Sequence, residues 1–357
     1  MALLLAGALL QACGSEVEQP SGSGEASSGE ASGGGGGSSS GDGGAGGSTT
    51  SGGGGSAGSA SSGSGSGSGL VDPIELAGDY DDTASSLALG PTDVYWANFS
   101  ILGDNKYEYG VKTAPKEPGA EAYEVEGIWA LAVAVDASHV YFTDGFSVSK
   151  KPLGGGSITQ LATGQAIEAG ASIAVDDESV YWPNRNLGTV MKAAKDGSSM
   201  ETVASGQASP MRVALDDTHV YWVNTVDPGA VMSTPKSGGA PESIADNQHG
   251  PSALAVGPAH VAWTTTGDQT IWLAQKGGGQ ATKIASGHFS TAIALDDKHI
   301  YWLRSDTGAV RAPVGGGPTT TLSVGQTGCS EIALDDGFVY WTRNAVTKGS
   351  KVLKLPK

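Results

Sequence analysis

The stretch RVALDDTHVYWVN, Arg212 to Asn224, sets two adjacent carboxylates and a histidine within four residues. Taken alone, Asp216-Asp217-x-His219 has the chemistry of a metal or acid/base site. Its meaning changes once the same stretch is found again along the chain.

Aligned on the aromatic residue that ends it, the stretch occurs seven times: SLALGPTDVYW, VAVDASHVYF, SIAVDDESVYW, RVALDDTHVYW, ALAVGPAHVAW, AIALDDKHIYW and EIALDDGFVYW. The anchors Trp96, Phe142, Trp182, Trp222, Trp263, Trp302 and Trp341 stand 46, 40, 40, 41, 39 and 39 residues apart. Seven copies at that spacing predict an all-β, seven-bladed β-propeller with four strands per blade. Eight residues before each anchor stands Ala (Ala88, Ala134, Ala174, Ala214, Ala255, Ala294, Ala333), flanked by Leu, Ile or Val. Alternation of large and small side chains predicts the innermost strand, and the β-branched and aromatic run before each anchor predicts the second. A third strand follows, as in GAVMSTPK (229–236), then a Gly-rich turn such as Gly315-Gly316-Gly317, then a short fourth strand such as TKIASG. The last copy ends after its third strand, at KVLKLPK. The segment PIELAG, Pro73 to Gly78, reads like the missing fourth and predicts a ring closed by the two ends of the chain.

The repeats also decide what the carboxylates are for. The Asp216-Asp217 position holds Asp-Asp in four copies, Asp136-Ala137 in one, and Gly90-Pro91 and Gly257-Pro258 in the other two. Asp and Gly-Pro interchange where a turn is needed, not where a metal is held. The histidine position is filled by His139, His219, His260 and His299, but also by Asp93, Ser179 and Phe338.

The second strands read Tyr95-Trp96-Ala97-Asn98, Tyr141-Phe142-Thr143-Asp144, Tyr181-Trp182-Pro183-Asn184, Tyr221-Trp222-Val223-Asn224 and Tyr340-Trp341-Thr342-Arg343. With the IALDD strand before them they resemble the YWTD repeat of lipoprotein-receptor-type propellers and the YWTD-like and NHL-like propellers of bacteria. The resemblance covers about 285 residues. No copy has the full tetrapeptide, and the receptor propellers have six blades against seven here. The resemblance implies the architecture and a binding role.

Ahead of the repeats, residues 1–12 read as a signal peptide: ALLLAGALL (2–10) is apolar but too short to span a bilayer. No Lys or Arg precedes it, which departs from the usual signal. Leu10-Gln11-Ala12-Cys13 resembles the lipobox of bacterial lipoproteins, which implies lipid attachment at Cys13 and, with Gly14 rather than Asp next, an outer-membrane address. Residues 13–69 form a Gly/Ser-rich tether without an aromatic residue, which composition predicts to be disordered. Its 56 residues from Gly14 on would span about 40 Å. Residues 70–357 carry the propeller. Net charge is −17, and every Lys and Arg lies at Lys106 or beyond. That balance argues against nucleic acid and anionic membrane surfaces as partners, leaving the lipid as the membrane contact. With Cys13 lipidated, Cys329 has no partner for a disulfide.

Function is expected where the repeats disagree. Loops entering the inner strands carry Gln165, Gln207, Gln248, His288 and Gln326. At the start of the inner strand five copies have Ser or Ala, whereas two have Arg212 and Glu331. Loops between second and third strands offer Asn184, Arg185, Asn224, Asp227, Arg304, Asp306, Arg343 and Asn344. In propellers both loop sets share one face around the axis, where these groups would hold a protein, peptide or glycan partner of the cell envelope. The expectation is a monomeric, non-enzymatic binding or scaffold module without a cofactor. The alternative is a metal-dependent hydrolase or lyase using Glu331, Asn184, Asn224, His288 and Glu168 at the channel mouth. The sequence has no P-loop, dinucleotide fingerprint or His-Glu-x-x-His motif.

Overall fold

The computed structural model describes residues 70–357 apart from 81, 102–106, 288–291, 305–306 and 345–349. The described residues form 28 strands, numbered β1 to β28 along the chain, in seven antiparallel sheets of four. The innermost strands are β2 (Asp82–Leu89), β6 (Ala132–Val135), β10 (Ala174–Val175), β14 (Pro210–Leu215), β18 (Pro251–Val256), β22 (Ile293–Leu295) and β26 (Cys329–Leu334). Each neighbours the next, and β2 neighbours β26, so the seven sheets stand as blades around one axis. Blade 7 is built as the sequence predicts. Its outer strand is β1 (Ile74–Tyr80), paired with β28 (Ser350–Pro356), which continues to β27 (Phe338–Arg343) and β26.

The Tyr-Trp pair explains how blades adhere. Neighbouring residues of a strand point to opposite faces of the sheet, so the tyrosine reaches the following blade and the tryptophan the preceding one. Seven hydrophobic clusters result, one per seam, and five of them join a tyrosine to the next tryptophan: Tyr141 with Trp182, Tyr181 with Trp222, Tyr221 with Trp263, Tyr301 with Trp341, and Tyr340 with Trp96. The first seam joins Tyr95 to Phe142, and the fifth has Ala262 facing Trp302. All six of these tryptophans are fully buried.

The carboxylate of Asp216 is a hub of the turn. One oxygen accepts the backbone N–H groups of Thr218 (2.8 Å) and His219 (2.7 Å); the other accepts the Tyr221 hydroxyl (2.8 Å) and Lys276 Nζ (2.7 Å). Lys276 belongs to the next blade. The same hub recurs with Asp136 and Lys195 (2.7 Å), Asp176 and Lys236 (2.8 Å), Asp296 and Lys357 (3.0 Å), and Asp335 and Lys116 (3.3 Å), the last across the ring closure. The second aspartates, Asp177, Asp217, Asp297 and Asp336, are exposed. The turn reading of Asp216 therefore holds, with an added task of fastening one blade to the next.

Two seams lack the ion pair, and both halves are missing together. Blade 1 has Gly90 in place of Asp, and the position facing it in blade 2 is Leu153; blade 5 has Gly257, and blade 6 answers with Val314. Leu153 packs against the cluster containing Tyr95, and Val314 against the one containing Ala262. A Cβ at residue 90 would meet the Tyr95 ring at 2.8 Å, and one at residue 257 would meet Leu295 at 2.8 Å. An apolar contact replaces a charged one at these seams, so no lysine is left facing a site without its carboxylate.

The hubs set the pH range of the fold. Burial pushes the Asp296 carboxyl up, but backbone N–H groups of His299 and Lys298 and the Lys357 ammonium outweigh it and hold its pKa at about 2. Asp136, Asp176, Asp216 and Asp335 are likewise held below the usual carboxylate range. Burial, and then the neighbouring carboxylate, push the Tyr301 hydroxyl up to about 12, and the other hub tyrosines also lie above their ordinary value. A depressed aspartate contributes stability above its unfolded pKa of about 3.9, lost as pH falls through the folded value. A raised tyrosine contributes stability below its unfolded value of about 10, lost as pH rises through the folded one. Melting temperature is therefore expected to be flat from about pH 4 to 10 and to fall steeply on either side. A Tm that declines steadily between pH 8 and 5 would contradict this account of the hubs.

Candidate functional site

The loops entering the inner strands and those joining second to third strands lie on one face of the ring, opposite the hubs, as the pairings Pro210 with Asn224 and Cys329 with Arg343 require. On that face the two residues that break the repeat meet. Arg212 Nη2 lies 3.5 Å from Glu331 Oε1. They come from β14 and β26, which are not neighbours in the ring, so the pair bridges the axial opening. Counted back from the invariant Ala, the corresponding residues of the other blades are Ser86, Ala132, Ser172, Ala253 and Ala292. These are small enough to leave the axis to the two long side chains. The Ser86 and Ser172 hydroxyls accept the backbone N–H groups of Val133 (3.2 Å) and Val213 (2.8 Å), stitching neighbouring blades.

The pair is held at a cost to the fold. Arg212 sits at a bulge in β14 with φ of +48°, the left-handed region that a long side chain rarely adopts. Its Nε is buried without a hydrogen-bond partner. Burial pushes the Glu331 carboxyl above the ordinary glutamate range, against the pull of Arg212. A left-handed residue, a buried donor without a partner and a carboxyl raised by desolvation thus coincide on one ion pair.

The remaining candidates are dispersed. Gln165 Oε1 accepts the Trp182 indole N–H and Asn184 Nδ2, both at 3.0 Å, and Gln207 does the same for Trp222 and Asn224. Gln248 accepts the Trp263 indole N–H at 2.8 Å. These glutamines and asparagines anchor loops to the aromatic core, which explains why the amide recurs. Arg185 pairs with Glu168 (3.0 Å), and Asp227 with His249 (3.4 Å) on the exposed rim. Asn344 donates to the Ala84 carbonyl (3.1 Å) and accepts the Ala84 N–H (3.0 Å), tying blade 7 to blade 1. Arg304 and Arg343 end the second strands of blades 6 and 7, and Gln326 stands in the loop before β26. Burial pushes the Cys329 thiol up to about 12, disfavouring its thiolate, and its Sγ donates to the Gln326 carbonyl. Cys13, His288 and Asp306 lie outside the described residues.

Two features of the site were not foreseen from sequence. Blade 1 carries a longer hairpin between its second and third strands, β3 (Asp93–Ile101) and β4 (Tyr107–Pro115). It continues past the Asn98 level through the pairs Phe99 with Tyr109, Ser100 with Glu108 and Ile101 with Tyr107, whereas blades 3 and 4 stop at Asn184 and Asn224. This extension lengthens the first repeat. Against it leans Trp129, edge-on to Tyr109 at 5.2 Å between ring centroids, with Tyr109 in turn 5.0 Å from Phe99. A cleft of about 830 Å³ between blades 3 and 4 lies on the opposite face, where Asp176 and Asp216 are already engaged in hubs.

No protein-family model matches the sequence, and no curated protein matches it. Solved structures do resemble the fold. A streptogramin B lyase is 13% identical over 79% of this chain and 97% of its own, with a TM-score of 0.59. A catalytically inactive virginiamycin B lyase from Staphylococcus aureus, solved with quinupristin, is 12% identical over 79% and 98%, with a TM-score of 0.58. The computationally designed Ika8 protein is 14% identical over 80% and 100%, at 0.59. Similarity at this level reports the propeller fold.

Proposed function

We propose that the chain is a non-enzymatic binding module of the cell envelope, lipid-anchored at Cys13 on its Gly/Ser tether, that receives its ligand at the axial mouth of the loop face. The observation that carries this reading is the Arg212–Glu331 pair: the two residues that depart from the repeat converge across the axis and are held there against the preferences of the fold. Of the residues that a metal-dependent hydrolase or lyase would draw on, His288 lies outside the described residues and the other four already have partners. Glu168 is on Arg185, Asn184 and Asn224 are on glutamines, and Glu331 is on Arg212. Among the described residues no three His, Cys, Asp or Glu side chains stand together as a metal site would need.

A site held for binding and a brace held for stability respond differently to removal. The double variant Arg212→Gly/Glu331→Gln relieves the positive φ and removes both charges. It is expected to melt at or above the wild-type temperature, since each of those strains is worth on the order of 1–3 kcal/mol. A loss of more than about 2 kcal/mol would make the pair a structural strut and remove the main support for this function.

A further inference from the structure

We propose that the rim of the loop face over blades 2 to 5 is a docking surface for a partner protein, gripped through a segment of that partner rich in Lys or Arg and large apolar side chains. The surface lies outward of the axial mouth and is independent of the Arg212–Glu331 pair, because it is built on the hairpins that join second to third strands. Phe146, Leu187 and Val226 stand at the tips of these hairpins in blades 2, 3 and 4, four or five residues after the anchors Phe142, Trp182 and Trp222. Their exposures are 59%, 61% and 49%. A single exposed apolar residue needs no explanation, but one at the same place on three successive blades makes an apolar arc. The tips are also held before any partner arrives. Asp144 accepts the backbone N–H groups of Phe146 (2.8 Å) and Ser147 (2.6 Å), Arg185 pairs with Glu168, and Thr225 donates its N–H (3.2 Å) and its hydroxyl (3.0 Å) to the Ser209 carbonyl. Side chains on fixed turns lose little freedom when they are covered.

The charge around the arc decides what can cover it. The loops of this face in blades 2 to 5, residues 143–147, 163–173, 184–189, 204–210, 224–229, 245–251 and 265–270, hold five carboxylates and a single Lys or Arg, Arg185. Glu168 already pairs with that arginine, and Asp227 faces His249 at 3.4 Å. Asp144, Asp246 and Asp268 accept from hydroxyl or backbone N–H donors of their own blades, and among the described residues no cation pairs with them. Asp144 is two residues from Phe146 and Asp227 adjoins Val226, so a surface that covers the apolar tips also takes water from carboxylates. A neutral apolar surface would leave those charges desolvated and unpaired, whereas a cationic one pairs them. The net charge of −17 draws such a partner from a distance and repels an anionic lipid surface.

The test is fluorescence anisotropy of short labelled peptides titrated with the full chain: one alternating Lys and Leu, one alternating Lys and Ser, and one alternating Glu and Leu. Phosphatidylcholine vesicles serve as the lipid comparison. The Lys/Leu peptide is expected to bind saturably at about 0.1 mM or below and the Lys/Ser peptide about tenfold more weakly, while the Glu/Leu peptide and the vesicles do not bind. Phe146→Ser/Leu187→Ser/Val226→Ser should weaken the Lys/Leu peptide by about tenfold, and Asp227→Asn/Asp246→Asn/Asp268→Asn by about as much. Asp177→Asn/Asp217→Asn/Asp297→Asn removes the same charge from the hub face and should leave affinity within about twofold, which separates a local surface from the general pull of an acidic protein on a cation. All of these side chains are exposed, so each variant should melt within a few degrees of wild type. The proposal is overturned if the Lys/Leu peptide does not bind, if it binds the triple serine variant as tightly as wild type, or if the Lys/Ser peptide matches it. Equal losses from the rim and hub-face asparagine variants, or binding to the vesicles in place of the peptides, would overturn it as well.

Discussion

Removal of residues 70–80 is expected to lower the melting temperature by roughly 10 °C, on the order of 5 kcal/mol for a domain of this size, and to broaden the transition. β1 is the outer strand of blade 7 and the element through which the chain's two ends pair. Its Leu76 and Ala77 are buried in the seam that also holds Tyr340 and Trp96, and Glu75 pairs with Lys351. Burial of a leucine contributes about 2 kcal/mol. The rest of the loss comes from the backbone ladder and from the edge of β28, which the deletion exposes to water and to other chains. The measurement is a thermal melt of the truncated chain beside wild type, with light scattering to detect edge pairing. An unchanged Tm would mean that the ring closes without this strand.

The second large effect is expected at a hub. Asp216→Ala strands two backbone N–H groups, the Tyr221 hydroxyl and the Lys276 ammonium, and should cost about 3 kcal/mol. Lys276→Val should cost less, about 1 kcal/mol, because Asp216 keeps its other partners. The double variant approximates the seams at Gly90 and Gly257 and should recover about 1 kcal/mol relative to the sum of the singles. Asp217→Ala, one residue away and exposed, should change stability by no more than about 0.5 kcal/mol. Denaturant unfolding of the four variants checks this. Additive single effects, or an equal loss from Asp217→Ala, would refute the seam as described.

The blade count, the strand order and the turn role of Asp216 were legible because a repeat makes each position its own control: a column that tolerates Gly-Pro in place of Asp-Asp identifies a turn without any structure. The lysine partners were just as readable in principle. Lys116, Lys195, Lys236, Lys276 and Lys357 stand in one column, with Leu153 and Val314 in the blades that follow Gly90 and Gly257. That matching lies between neighbouring repeats, where reading down a column does not look. Arg212 and Glu331 were visible as departures from the repeat, but their meeting depends on the diameter of the ring, which no local pattern encodes. Trp129 escaped notice for the opposite reason. Its loop belongs to no column, so nothing in the repeat marked it.

The pairing of seams also bears on how such a chain is assembled from copies. A blade presents one residue forward, Asp or Gly, and one backward, Lys or an aliphatic. Blades 3, 4 and 7 each offer Lys behind and Asp ahead, and so do blades 1 and 2 taken together, or 5 and 6. Those are the five interchangeable units of the ring. Unequal recombination that duplicates or loses a whole unit leaves every junction matched, and so does one that joins the apolar seam after blade 1 to the one after blade 5, whereas joining an apolar seam to a charged one leaves an unanswered lysine or a carboxylate facing an aliphatic side chain. Junctions of each kind are thus exchangeable only with their own kind.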